Sequence, residues 1–312
     1  MTTPSRFPPL LKIGVFPDTV DKALRGTFHL VDIEELSASP ELHSKIEGIV
    51  TRSNYRIAKE LIDQLPKLRI IATNGVGYDG IPLAHSRQKG IVVTNTPDVL
   101  NKAVAELTIG LVLAILRHIP QADQFVRDGS WQTAAFPLGR TLAGKKVGIV
   151  GLGRIGKEIA HRLIPFEVEL AYFGRHPQKV AWPFFDDLKK LAAHADILIV
   201  CCPGGPATHQ IIDADVLGAL GPAGILVNVA RGSVVNEKDL CTALINKTIL
   251  GAALDVFNEE PLPDSPLRTL DNVILTPHIG SATNETRLEM AALAIKNLCS
   301  FFDTGQAITP VN

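Results

Sequence analysis

Three side chains of complementary chemistry fall just beyond apolar runs in the second half of this chain. Arg231 follows Leu226-Val227-Asn228-Val229-Ala230 and precedes Gly232-Ser233. Glu260 follows a run ending near Asp255 and precedes Pro261. His278 follows Leu275-Thr276-Pro277 and precedes Ile279-Gly280. Each sits in a turn marked by Gly or Pro, where functional residues concentrate. Singly, each has an ordinary structural role: a histidine satisfied by hydrogen bonds, a solvated glutamate beside Glu259 and Asp264, an arginine that caps a helix or pairs with an acid. Together they form a working set. The cation holds and polarises a substrate oxygen, the imidazole protonates it, and the carboxylate keeps that imidazole charged. Carbonyl reduction needs those three tasks.

Reduction also needs a hydride source, and Gly151-Leu152-Gly153-Arg154-Ile155-Gly156 points to one. It follows the apolar run Lys146–Val150, which reads as a buried parallel strand, and opens a helical stretch from Ile155 to Leu163 that Pro165 stops. In that context Gly151 allows a tight turn, Gly153 lets the backbone approach a pyrophosphate, and Gly156 lets helix and strand pack closely. The pyrophosphate then meets the N–H groups of the helix N-terminus. A second glycine pair lies in Asn74-Gly75-Val76-Gly77-Tyr78-Asp79, after Ile70-Ile71-Ala72-Thr73. It reads equally as a plain turn or as backbone N–H groups arranged for an anion.

The elements that must position these residues alternate strand and helix. Strands are expected at Lys12–Phe16, Gly48–Val50, Ile70–Ala72 and Ile91–Val93, with a helix over Ile57–Leu65. Glu106–Arg117 is apolar nearly all round and reads as a buried connecting helix. Further strands are expected at Leu170–Phe173, Ile197–Val200, Gly224–Asn228, Gly251–Leu254 and Val273–Leu275. Asn284–Phe302 reads as a terminal helix returning to the first half. This is α/β alternation with parallel sheets.

The 312 residues suit two domains, and 46% hydrophobic with 20% charged is a globular composition. A net charge of −1 sets up no field for nucleic acid or an anionic membrane. Cys201, Cys202, Cys241 and Cys299 form no C-x-x-C pair and read as small buried residues of a reducing compartment. No metal-ligand spacing stands out. The N-terminal residues lack the regions of a signal peptide, and the apolar run Leu107–Leu116 is too short to span a bilayer, so a cytoplasmic protein is expected.

The chain resembles the D-isomer-specific 2-hydroxyacid dehydrogenase family over essentially its whole length. The resemblance is carried by Asn74–Asp79, Thr94-Asn95-Thr96-Pro97, Gly151–Gly156, Asn228–Gly232, Ala253-Leu254-Asp255-Val256-Phe257, Glu259-Glu260-Pro261 and Thr276–Gly280. It implies two Rossmann-like, doubly wound parallel-sheet domains. A substrate domain of residues 1–98 and 284–312 would hold an inserted cofactor domain of residues 99–283. It implies catalysis by Arg231, Glu260 and His278, with the substrate carboxylate on the backbone N–H groups of Val76 and Gly77. It implies cofactor contacts at Thr108, Arg154, Ile155, Ala230, Asp255 and Gly280. It implies a homodimer through the region from about residue 100 to 150, with Trp131 or Phe136 able to reach a partner's active site.

Two positions depart from the family pattern. The turn Pro165-Phe166-Glu167 stands where the family usually has glycine. Gly174 stands where NAD-using members carry Asp, and Arg175 follows it. An acid there would bind the ribose hydroxyl and repel a 2′-phosphate, whereas Arg accommodates it; Gly174-Arg175 therefore reads as an NADP-type site rather than a solvated basic turn. Arg52 and Ser53, after the run Gly48–Val50, are expected to line the substrate's far end, where their polarity favours hydroxylated acids. The expected activity is NADPH-dependent reduction of hydroxypyruvate and glyoxylate, with 2-ketogluconate or an aryl pyruvate as alternatives. A nucleotide-sensing corepressor is the non-enzymatic alternative; the chain's end at Asn312, soon after its last helix, argues against the tails expected there.

Overall fold

The computed structural model describes residues 6–312. They divide into two compact units, residues 6–100 with 282–312 and residues 101–281. The first unit holds β1 (Leu10–Lys12), β2 (Leu30–Asp32), β3 (Gly48–Arg52), β4 (Ile70–Asn74) and β5 (Val92–Thr94). They form one parallel sheet in the order β2-β1-β3-β4-β5. Consecutive residues of its strands are buried on opposite faces. Leu10, Val50, Ile70 and Ala72 face a cluster with Leu298 and Phe301 of the terminal helix Asn284–Thr304, and Leu11, Ile49, Ile71 and Val93 face a cluster with Ile62 and Leu65. Burial on both faces explains why these strands read as unbroken apolar runs.

The second unit holds β6 (Lys146–Val150), β7 (Glu169–Phe173), β8 (Phe184–Phe185), β9 (Ile197–Val200), β10 (Ile225–Asn228), β11 (Gly251–Leu254) and β12 (Val273–Leu275). The parallel order β12-β11-β10-β9-β6-β7-β8 reverses between β6 and β9, the doubly wound arrangement. Both faces are again covered, one by Val150, Leu198, Leu226 and Leu254 with their helices and the other by Ile149, Ile199, Val227 and Ala253 with theirs.

Three expectations need correction. The first strand is Leu10–Lys12, not Lys12–Phe16: Gly14, at φ +94°, turns the chain out of the sheet, and Val15 is exposed. Strands β2 and β8 were not anticipated; each is a short edge strand with little apolar pattern to mark it. The helix read as apolar all round spans Asn101–Arg117 and buries one side only, leaving Gly110 exposed and Leu107 and Leu113 half-buried. It is followed, at the left-handed His118, by Ile119–Arg127 at an angle of 60°. No single helix among the described residues is long and apolar enough to cross a membrane.

The turn Pro165–Glu167 resolves its missing glycine directly. Glu167 takes φ +58°, its N–H donates to Ile164 O at 3.0 Å, and its own carbonyl accepts from Gly144 N at 2.9 Å. The left-handed conformation a glycine would adopt freely is kept, with a side chain on it.

Candidate active site

In the second unit, β10 delivers Arg231. Asn228, the last residue of the strand, ties the turn at both ends: its Oδ1 accepts from Ala230 N at 3.0 Å and its Nδ2 donates to Arg231 O at 3.1 Å. Gly232 then packs against the segment that follows β11; a Cβ there would come within 1.9 Å of Phe257 carbonyl carbon. Only glycine permits this approach, and it sets the Arg231 turn against the loop that carries Glu260.

Glu260 and His278 are directly bonded. Glu260 Oε2 accepts from His278 Nδ1 at 2.6 Å, and Oε1 accepts from Phe257 N at 3.1 Å. Burial pushes the Glu260 carboxyl up, but the hydrogen bond and charge of His278, the Phe257 N–H and the Arg231 charge outweigh it and hold the group below the ordinary carboxylate range. An ionised carboxylate only accepts, so Nδ1 carries a proton and Nε2 is the nitrogen for exchange with a ligand. Both side chains keep partial exposure, 22% and 27%, so that exchange is sterically open.

His278 has φ +53°, a conformation that side chains rarely adopt. Asp255 holds it there. This carboxylate is 2% exposed and accepts from Thr276 Oγ1 at 2.6 Å, Ile279 N at 2.8 Å and Gly280 N at 2.8 Å. Burial raises its pKa, and those three donors with the charge of His278 oppose the rise.

The glycine loop meets the requirements of a dinucleotide. Gly151 has φ +100° and a Cβ there would lie 2.7 Å from Cys202 Cα; at Gly156 a Cβ would lie 2.3 Å from Gly151 O. A Cβ at Gly153 meets nothing, so the space in front of it is open. Gly153 caps the helix Arg154–Leu163 without a side-chain hydrogen bond, and the N-terminus of such a helix favours an anion. A pyrophosphate fits this cradle. Beyond β7, Gly174 is likewise open and Arg175 is exposed, in a turn held by Gln178 N donating to Tyr172 Oη at 2.6 Å. Arg154 is exposed and Ile155 half-buried, whereas Ala230 and Gly280 are buried. Thr108 is different: it is fully buried and donates its hydroxyl to Val104 O at 2.7 Å, so the structure does not bring it to a ligand surface.

In the first unit, Gly75 follows β4 and a Cβ on it would lie 2.5 Å from Ser53 Oγ. Its glycine serves close approach to the neighbouring strand end. The carbonyls of Gly75 and Val76 accept from Thr96 N at 2.9 Å and Asn95 Nδ2 at 2.8 Å. The loop is thus fixed from its carbonyl side. Arg52, the last residue of β3, donates from Nη1 to Val15 O at 2.7 Å. No group of His, Cys, Asp and Glu among the described residues could hold a metal.

Asn95, Asn228 and Thr276 were not singled out as working residues, although each stands in a quoted motif. Their signal was a polar side chain at a strand end, next to a residue with a role. Tyr55, whose hydroxyl accepts from Val15 N at 3.0 Å, had no such signal.

Residues 109–280 match the family described as "D-isomer specific 2-hydroxyacid dehydrogenase, NAD binding domain". A hydroxyphenylpyruvate reductase of Plectranthus scutellarioides is 45% identical over 85% of each chain. A 2-ketogluconate reductase of Gluconobacter oxydans is 41% identical over 97% of this chain and 98% of its own. The crystal structure of an NADPH-dependent glyoxylate/hydroxypyruvate reductase from Sinorhizobium meliloti, in complex with NADP and malonate, superimposes with a TM-score of 0.92. It is 44% identical and covers 97% of this chain and 96% of its own.

Proposed function

The chain belongs to the D-isomer-specific 2-hydroxyacid dehydrogenase family, and from that premise we propose that it reduces small 2-keto acids, hydroxypyruvate and glyoxylate foremost, to D-2-hydroxy acids with NADPH. The observation that carries the reading is the 2.6 Å hydrogen bond between His278 and Glu260, in a loop set against the Arg231 turn through Gly232.

The nicotinamide, when bound, supplies the hydride that reaches C2 of the keto acid. His278 gives a proton from Nε2 to the carbonyl oxygen. Glu260 remains ionised, accepts a hydrogen bond from Nδ1–H and so orients the imidazole with Nε2 toward the substrate. Arg231 holds the substrate carboxylate and the carbonyl oxygen, and the N–H groups of Val76 and Gly77 take the carboxylate. Gly151, Gly153 and Gly156, with Arg154 and Ile155, would hold the pyrophosphate. Gly174 leaves room for a 2′-phosphate and Arg175 supplies its counter-charge. The S. meliloti relative, solved with NADP, supports this cofactor. We assign cofactor binding to residues 101–281 and the keto acid's carboxylate to the unit of residues 6–100 with 282–312.

A homodimer is part of the proposal. It is supported by the exposed apolar residues Ile119, Val126, Trp131 and Leu138 in one stretch of chain. The cytoplasm suits four cysteines that are all free, with Cys202 pushed up to about 11 by burial. The test of function is kcat/KM for a panel of 2-keto acids with NADPH and with NADH. No turnover of any 2-keto acid would defeat it, and a non-catalytic binding role would then be favoured.

A further inference from the structure

The loop after β7 carries three basic side chains, Arg175, His176 and Lys179, and no acid before Asp186. It runs over residues 174–183 and returns the chain to β8, which pairs parallel to β7. Residues 175–179 are exposed, so packing does not shape this part of the loop. Ties to neighbouring elements do. The Phe173 carbonyl accepts from Gly151 N at 2.9 Å, which fixes the start of the loop to the glycine turn assigned to the pyrophosphate. Gln178 N donates to Tyr172 Oη at 2.6 Å. At the far end, half-buried Trp182 packs edge-on against His161 of the helix Arg154–Leu163, with ring centroids 5.7 Å apart.

Only Gly174-Arg175-His176-Pro177 lies between the first two ties. Pro177 fixes its own φ and restricts His176. Arg175 is exposed, so the shape of this short span decides where its guanidinium stands. The Tyr172 hydroxyl closes the span. Its ring is 2% exposed and packs on Phe184 with centroids 5.4 Å apart, which makes it a firm post. Among the described residues, no other side chain from outside the loop hydrogen-bonds residues 174–179. A phenylalanine would fill the same apolar site. What the hydroxyl adds is the tie to Gln178.

We propose that the Tyr172 hydroxyl sets the preference for 2′-phosphorylated cofactors, by holding the span from Gly174 to Pro177 in a shape that turns Arg175 to the ribose. The proposal rests on the assignment of Gly174 and Arg175 to the 2′-phosphate. In a dinucleotide the adenosine ribose adjoins the pyrophosphate, and the bond from Gly151 to Phe173 starts the loop beside the turn assigned to that pyrophosphate. Arg recognises a phosphate through a planar fork aligned with two oxygens, which needs a fixed backbone behind it. A ribose without the phosphate makes no such demand. Tyr172 acts through Arg175 and is a positioning residue.

The test measures equilibrium binding of NADP⁺, NAD⁺ and adenosine 2′,5′-bisphosphate by isothermal titration, in the wild type, Tyr172→Phe, Arg175→Ser and the double variant. Tyr172→Phe should weaken NADP⁺ and the bisphosphate about 3–10-fold, the loss of one hydrogen bond, and leave NAD⁺ within about twofold. In the Arg175→Ser background the same change should add nothing, because the group it positions is gone. Equal weakening of NADP⁺ and NAD⁺ would overturn the proposal, since Tyr172 would then serve the fold. Undiminished NADP⁺ binding would overturn it, since the charge of the loop would then suffice without its shape. Additive losses in the double variant would overturn it too, since Tyr172 would then act apart from Arg175. Should Tyr172→Phe not fold, Pro177→Gly loosens the same span at an exposed position, and an unchanged ratio of NADP⁺ to NAD⁺ affinity there would overturn it. A wild type that binds NAD⁺ as tightly as NADP⁺, or an Arg175→Ser that loses no NADP⁺ affinity, would instead remove the assignment of the 2′-phosphate, and this selectivity with it.

Discussion

At the scale of single residues, the work divides between groups that meet the substrate and groups that hold them. In the proposed reaction His278 supplies the proton, so His278→Ala should slow reduction by roughly 10²–10⁴-fold at neutral pH while NADPH binding changes little. Glu260→Gln keeps a hydrogen-bond partner for Nδ1 but removes the charge, so reduction should slow by roughly tenfold or more. Undiminished turnover would take Glu260 out of this role. Its lowered pKa gives a separate sign, in stability. The stability Glu260 contributes is fully present above the ordinary carboxylate range and is lost as pH falls through the depressed value. The gap in stability between wild type and Glu260→Gln should therefore close on acidification. Asp255 has a different task, holding His278 in its left-handed conformation through Ile279 N and Gly280 N. In Asp255→Asn an amide nitrogen would face one of those donors. The unsatisfied N–H should cost about 1–3 kcal/mol in urea unfolding. Arg175 belongs here too: Gly174→Asp with Arg175→Ser should turn cofactor preference from NADPH toward NADH, by about 1.5–3 kcal/mol of lost phosphate contact. A wild type that uses NADH at least as well would refute that assignment.

At the scale of elements, the glycines separate fold from function. Gly153 caps the helix Arg154–Leu163 and Gly156 lies in its first turn, yet a Cβ on Gly156 would strike backbone at 2.3 Å and one on Gly153 would meet nothing. Gly156→Ala should destabilise by about 1–3 kcal/mol through overpacking. Gly153→Ala should leave the melting temperature close to wild type and weaken NADPH binding, because the methyl enters space a pyrophosphate needs. Isothermal titration and thermal unfolding of the two variants separate these effects; equal losses of stability would contradict the division. The same physics explains what could be read from the sequence. β9, β11 and β12 were legible to the residue because both their faces are buried and their runs are unbroken. β2 and β8 are short edge strands with no comparable pattern. The Glu260–His278 pairing could be anticipated, with Arg231 as their candidate neighbour, because chemically complementary side chains stood just beyond strand ends. The Val15–Tyr55–Arg52 brace could not, since it joins two strand ends through a turn that only the folded sheet brings together.

At the scale of the whole molecule, the surface carries an argument that the active site does not. From Arg117 to Thr141 the chain adds little to any core: among these residues, Ile119, Val126, Trp131 and Leu138 are large, apolar and exposed, Leu138 at 96%. Scattered apolar residues on a surface need no explanation, but several in one stretch mark an interaction site. Phe125 and Phe136 stack edge to face with ring centroids 5.3 Å apart, which stiffens the stretch. A net charge of −1 offers no strong repulsion between copies. The stretch therefore suits a second copy of the same chain, related by a two-fold axis as most soluble homo-oligomers are. Sedimentation at micromolar concentration should give a dimer, and a monomer would defeat the assignment. Leu138→Glu should shift the equilibrium toward monomer by placing a charge in a dry contact. Its kcat for glyoxylate then decides whether the partner only buries the surface or also completes the site. A monomer of near-normal turnover would confine Trp131 and Phe136 to assembly, whereas turnover lost in step with dimer would place one of them at the neighbour's substrate.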